Sequence, residues 1–288
     1  MSVLIGTASG AFRLDGDTRD LVTGTRVNHL AAWEESWWAV DAGGRILRDA
    51  ETVAQMPGGA EPLCVQPTPH TVWIGSTEAR LYGIDHGALT EDEFFATAPG
   101  REKWYTPWGG PADVRSMTID ADHTLYVNVH VGGILRYDNT GVVPTIDIDS
   151  DVHQVAAHPT QKSAVFAACA FGLAATRNGH DFEIRADGLH AAYCRAVAVL
   201  EDRVLVSAST GPRSSQARLY RGGLWDGGFE PLGNGLPEWF PANLDTHCLV
   251  VRDDIVYAGQ GDTVWQSDDG GDSWSVAVSD LPEITCLG

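Results

Sequence analysis

The sequence predicts an all-β fold, a seven-bladed β-propeller with its N- and C-terminal strands closing one blade. Three observations predict it. A pair of apolar strands joined by a small-residue loop recurs seven times. A further strand recurs about ten residues upstream of each pair, the kind of fixed period that marks repeat architectures. The last copy of that further strand sits at the C-terminus, while the pair it should precede sits at the N-terminus.

The pairs begin at Val3, Trp37, Val72, Leu125, Val165, Leu205 and Val256. The upstream strands begin at Val27, Pro62, Val114, Val152, Tyr193, Thr246 and Ile284. Dividing 288 residues by seven gives about 41 per unit, within the usual range for a blade. Pairing Ile284-Thr285-Cys286-Leu287 with Val3-Leu4-Ile5 closes the ring and removes the exposed edges on which sheets aggregate. No linker breaks the period, so residues 1–288 read as one domain, with a six-bladed ring and one false repeat as the rival. Two spacings are long, near 88–113 and 222–245. Both carry aromatics, Trp104, Tyr105 and Trp108 in the first and Trp239 and Phe240 in the second. As outer-to-inner connections, both are expected to overhang one mouth of the channel.

Composition narrows the partners. Net charge is −20, and only Lys103 and Lys162 supply lysine. Nucleic acid and anionic membrane would both be repelled. The N-terminus lacks the basic and apolar regions of a signal peptide, and no run has the ~20 apolar residues of a span. Five widely spaced cysteines form no C-x-x-C pair. They read as buried thiols of a reduced compartment, so a cytoplasmic protein is expected, as a monomer or small homo-oligomer.

The start of each inner strand points to the channel mouth. Those positions offer Asn28 and His29, then Arg115, His153, Tyr193 with Arg195, and His247. A loop on the same face adds His130. His29, His153 and His247 come from the second, fifth and seventh units, a spacing that lets three imidazoles converge on the axis; His130 could join or replace one. Imidazole clusters suit a divalent transition metal such as zinc, copper, iron or nickel. The alternative is that these rings only hydrogen-bond backbone, and His29 stands one residue out of step with the others. Arg115 and Arg195 suit the grip of a carboxylate or phosphate, or else an ion pair with a neighbouring blade's Asp. Tyr193 reads as an acid, a nucleophile or a lining residue. Cys194 or Cys248 as a thiolate ligand is a lesser alternative to core packing. His70, His86, His123, His158 and His180 read as solvated turn residues.

One octapeptide, Ser267-Asp268-Asp269-Gly270-Gly271-Asp272-Ser273-Trp274, reads S-x-D-x-G-x-x-W between two apolar runs. The Asp can bond its own turn, Gly supplies positive φ, and the Trp can fold over the turn. It resembles the Asp-box (BNR) family of β-propellers, in the sialidase-like and WD40-like superfamily. The resemblance covers these eight residues, with weak echoes at Asp15-Gly16-Asp17, Asp138-Asn139-Thr140-Gly141 and Thr176-Arg177-Asn178-Gly179. It implies a propeller, and it implies that the box is structural and remote from catalysis. Sialidases of that family need an arginine triad with one member near the N-terminus; Val3-Leu4-Ile5 supplies none. Other relatives are non-catalytic assembly or receptor propellers.

The expectation is therefore a hydrolase or lyase acting on a small anionic molecule at the channel mouth. Tyr193, Arg115, Arg195 and His130 are the catalytic candidates, with a metal on His29, His153, His247 or His130. A binding or scaffold propeller without chemistry is the alternative, and a glycosidase-like enzyme a second one.

Overall fold

The strand repeat folds into seven four-stranded antiparallel sheets, the blades of a propeller. The computed structural model describes residues 2–138 and 141–288. Blade 1 is composite: Ile284–Leu287 pairs with Val3–Thr7, which continues to Gly10–Asp15 and Asp17–Thr23. Blades 2 to 7 follow in chain order. Their inner strands are Val27–Trp33, Pro62–Pro67, Val114–Ile119, Val152–Ala157, Tyr193–Val199 and Leu249–Arg252.

Ring closure is direct. Ile5 pairs with Leu287 and Gly6 with Cys286. The Leu4 amide donates to the Gly288 carbonyl at 2.8 Å, and the Gly288 amide returns a bond to Leu4 at 3.0 Å. Neighbouring blades cover each other on both faces. For that reason second strands such as Val3–Thr7, Leu125–Val129 and Val165–Cys169 are buried at every residue rather than alternating. The closest approach needs glycine. A Cβ on Gly6 would meet the Cys286 sulfur at 2.3 Å, and one on Gly75 would meet Val114 at the same distance.

The octapeptide forms the turn between Thr263–Ser267 and Ser275–Val278 of blade 7. Asp269 Oδ1 accepts from the Ser267 hydroxyl at 2.7 Å and the Ser273 amide at 2.9 Å. The Ser273 hydroxyl donates to Oδ2 at 2.5 Å, and this bond foremost, with the other two, holds the carboxyl down at about 2. Gly270 and Gly271 take φ of 70° and 96°. Trp274 does more than lid the turn: its ring is buried among Leu205, Leu219 and Leu232 of blade 6 and the Phe240 and Leu244 that follow it. Of the weaker echoes, residues 139–140 lie outside the described residues.

Both long connections are shorter than the sequence reading had them. Residues 88–91 and 230–231 form the outer strands of blades 3 and 6. The insertions proper run over 92–113 and 232–248. In the first, Asp92 caps the short helix Glu93–Ala96 and accepts from the Tyr137 hydroxyl. Phe95 is buried against Trp104, which in turn covers Gly132. In the second, Phe240 is buried and bonds Ala217 in both directions. Among the described residues no helix is long and apolar enough to cross a membrane.

All five cysteines are free and buried. Burial pushes the Cys194 and Cys248 thiols up, and both side chains belong to the packed core. His158 is not solvated. It is buried, accepts from the Thr160 and Gln161 amides through Nδ1, and bonds the Glu201 carbonyl through Nε2.

Candidate functional site

A β-bulge at the start of the inner strands builds the mouth. In blades 1 to 6 the pairing register slips at that point. The residues left out of the pairing are Thr285, Asn28, Leu63, Arg115 and His153 in blades 1 to 5, and the slip in blade 6 spans Arg195. A bulge turns an unpaired residue away from the ladder, and here it turns most of them toward the axis. In blade 7 His247 takes a left-handed backbone, φ 66°, just before its strand. Asn28, Leu63, Arg115, Arg195, His247 and Thr285 then line a cavity of about 320 Å³ together with Asp113 and Asp245.

The two arginines differ. Arg195 pairs with Asp245 at 2.8 Å. Arg115 is partly buried, and among the described residues its guanidinium has no hydrogen-bond or ion-pair partner. Burial and the charge of Arg195 both lower its pKa. Asp113, whose carboxyl accepts from the Glu78 amide, is raised by burial.

The four histidines do not converge on one point. His29 sits one residue past the bulge of its strand, level with Gln154 rather than His153, and so lies deeper. Its ring packs against that of His247, centroids 3.8 Å apart and planes tilted by 35°. His29 Nδ1 accepts from the Val65 amide, and His247 Nε2 donates to the Arg115 carbonyl at 3.2 Å. Burial lowers both pKa values, His247 to about 4. Gln154 reaches across to the His247 amide at 2.9 Å, and Thr246 to the His153 carbonyl. These bonds cross the channel. Beyond them lies a larger cavity of about 640 Å³, lined by apolar strand residues such as Met117, Val155 and Val251 and rimmed by Glu201, Asp202, Asp253 and Asp254. The chemically versatile side chains gather at the smaller cavity instead.

His130 and His153 are brought together, and with them Asp151, which the sequence reading had not singled out. Nitrogens of both rings and a carboxylate oxygen lie within 4.8 Å of one another. His153 is fully buried and donates from Nδ1 to the Cys194 carbonyl at 2.6 Å, so its Nε2 carries the lone pair. That Nε2 stands 3.8 Å from Asp151 Oδ1 and has no hydrogen-bond partner among the described residues. Burial, then Arg115, lower the His153 pKa to about 3. Burial opposes ionisation of Asp151, but His130, His153 and Arg115 outweigh it and keep its pKa below the ordinary value. Asp151 follows the short helical turn Ile148–Ser150 with φ 47°, a left-handed conformation that costs a non-glycine residue free energy. Its signal in the sequence was its place two residues before an inner-strand histidine.

Tyr193 packs on His153, ring centroids 4.7 Å apart, and burial raises its phenol pKa. The first insertion reaches this group: Trp108 lies 5.1 Å from His130, ring to ring. The second insertion contributes Asp245 to the cavity and holds Arg195. His130, His153 and Tyr193 stand beside the cavity rather than in its lining, with Arg115 between the two sets in its electrostatic reach.

No known family model matches this chain, and no curated protein is similar to it in sequence. Solved structures are similar in fold. A putative 6-phosphogluconolactonase from Bacteroides uniformis matches with TM-score 0.65 and 15% identity, over 100% of this chain and 98% of that one. A computationally designed protein, Ika8, matches with TM-score 0.65 and 16% identity, over 100% and 87%. Virginiamycin B lyase from Staphylococcus aureus matches with TM-score 0.61 and 10% identity, over 94% and 86%. At these identities the likeness shows the propeller alone. The resemblance to the Asp-box family rests on the octapeptide.

Proposed function

We propose that the protein is a hydrolase or lyase for a small anionic molecule, acting at the mouth where the bulged residues meet. The observation that carries this is the unpartnered Arg115 guanidinium in the cavity wall, beside a buried histidine with a free Nε2. A partly desolvated cation with no direct hydrogen-bond or ion-pair partner among the described residues is a ready receptor for a carboxylate or phosphate. Arg195, fixed by Asp245, is placed to contribute a second set of donors. The His130–Asp151–His153 group would activate water or draw electrons from the substrate, and Tyr193, kept protonated, would supply a proton. Propellers of this shape include a lyase and a putative lactonase, so the architecture accommodates either reaction class.

Thermal shift with a panel of small carboxylates, phosphates and lactones tests this reading. Some anions should raise the melting temperature of the wild type, and Arg115→Met should abolish that rise while keeping the fold. Hydrolysis or elimination of the stabilising compounds should then be detectable and lost in Tyr193→Phe. Equal stabilisation of Arg115→Met, or none by any anion, would overturn it.

A second reading has its own support. Trp108, Tyr105 and Phe171 are 69%, 45% and 59% exposed, and all lie on loops at the same mouth. Exposed aromatics of that kind suit a non-catalytic propeller that docks a partner on its rim. Stable complex formation without turnover of any panel compound would favour it.

A further inference from the structure

We infer that His130, Asp151 and His153 form a mononuclear site for a divalent transition metal, with a ligand set of two imidazoles and one carboxylate. The inference rests on how the three groups miss each other. His130 Nε2 stands 3.0 Å from Asp151 Oδ1, close enough for a hydrogen bond, yet among the described residues Oδ1 has no partner that meets the angle a hydrogen bond needs. His153 Nε2 faces the same oxygen at 3.8 Å, too far for a direct bond, and is also without a partner. Two buried electron-pair donors thus stand side by side without a hydrogen bond to either among the described residues. Leaving each unsatisfied costs about 1–3 kcal/mol. A shared cation removes both deficits.

The spacing suits one ion. Nitrogen and oxygen ligands held ~2.0–2.2 Å from a common metal stand roughly 3.0–3.5 Å apart, with their lone pairs aimed at the metal rather than at each other. Contacts of 3.0 and 3.8 Å that are close but misdirected fit that arrangement. The outer support is also present. A ligating histidine ordinarily donates its other ring N–H to a carbonyl or carboxylate, which fixes tautomer and orientation; His153 Nδ1 does so to Cys194 at 2.6 Å. The carboxylate is held by a strained backbone, and Val131, beside His130, is likewise left-handed at φ 47°. Two imidazoles select against magnesium and calcium, which prefer oxygen. His29 and His247 are not in the set.

This deepens the proposed function by naming what occupies the reactive group, and the two can fail separately because metal binding is read without substrate. The protein is stripped with chelator and titrated with Co²⁺ by visible absorption and with Zn²⁺ by calorimetry. One ion per chain is expected, with ligand-field bands of nitrogen and oxygen donors and a higher melting temperature. Asp151→Asn is the informative variant, because asparagine tolerates the left-handed backbone at that position. It should bind about 100-fold more weakly and lose the melting shift. His86→Asn, at an exposed left-handed turn position, should bind as the wild type does. If Asp151→Asn loses the native near-ultraviolet dichroism, His130→Gln is read in its place. No ion bound at unit stoichiometry, unchanged affinity in the ligand variant, or loss of binding in His86→Asn would overturn the inference. Intact metal binding with no turnover of any anion would sink only the proposed function.

Discussion

Acid should loosen this propeller from its axis outward, through the packed pair His29 and His247. Both rings are buried and neutral, and their centroids are 3.8 Å apart. Burial holds His247 at about 4 against an ordinary value of 6.5. His29 is pushed well below 6.5 by burial and by the charge His247 would carry. Both shifts are downward, so between pH 6.5 and pH 4 the unfolded chain binds protons that the folded chain refuses. Stability is therefore complete above pH 6.5 and falls as pH drops through that window. For His247 alone, proton linkage over these two values removes about 2 kcal/mol between pH 7 and pH 5, and His29 adds to it. The assay is urea unfolding of wild type and His247→Asn at both pH values. Asparagine accepts the backbone φ of 66° at that site. The variant loses the bond to the Arg115 carbonyl, about 1 kcal/mol at every pH, but it has no ring to titrate. Carboxylates titrate alike in both proteins and cancel. The wild type should lose about 2 kcal/mol more than the variant on going from pH 7 to pH 5. A difference below about 0.5 kcal/mol would refute the claim that the His247 ring is buried neutral.

Two further predictions concern the ring. Trp274→Ala should cost about 3–5 kcal/mol in chemical denaturation, because the indole fills the space between blades 6 and 7 and collapse there is blocked on both sides. Gly6→Ala should cost about 1–3 kcal/mol, since its Cβ would meet the Cys286 sulfur at 2.3 Å, and Cys286→Ala in the same chain should restore part of that loss.

Blade number and closure were legible because they depend on period. The seven strand pairs and the terminal strand at Ile284 recur at spacings that hydrophobicity alone reveals, and the observed pairing of Ile284–Leu287 with Val3–Thr7 is the closure that period implies. The octapeptide was legible for a local reason: its Asp, Gly and Trp act on their own turn. The site was only partly legible. Bulges carry no apolar signature, so the one-residue slip that separates His29 from the level of His153 could not be read from spacing. Asp151 carries no motif of its own; a left-handed turn places it beside the buried His153. His158 likewise lies in a turn yet is enclosed by the Glu201 loop, a contact made between residues far apart in sequence.

The bonds that join His247 to Arg115 and Gln154 cross the axis between two cavities, and His247 borders both. Its ring is thus a wall shared by chambers of opposite character. The arginines stand on one side; on the other are apolar strand residues, with Glu201, Asp202, Asp253 and Asp254 at the rim. A shift of the Arg115 backbone would be passed through the His247 bond to the wall of the far chamber.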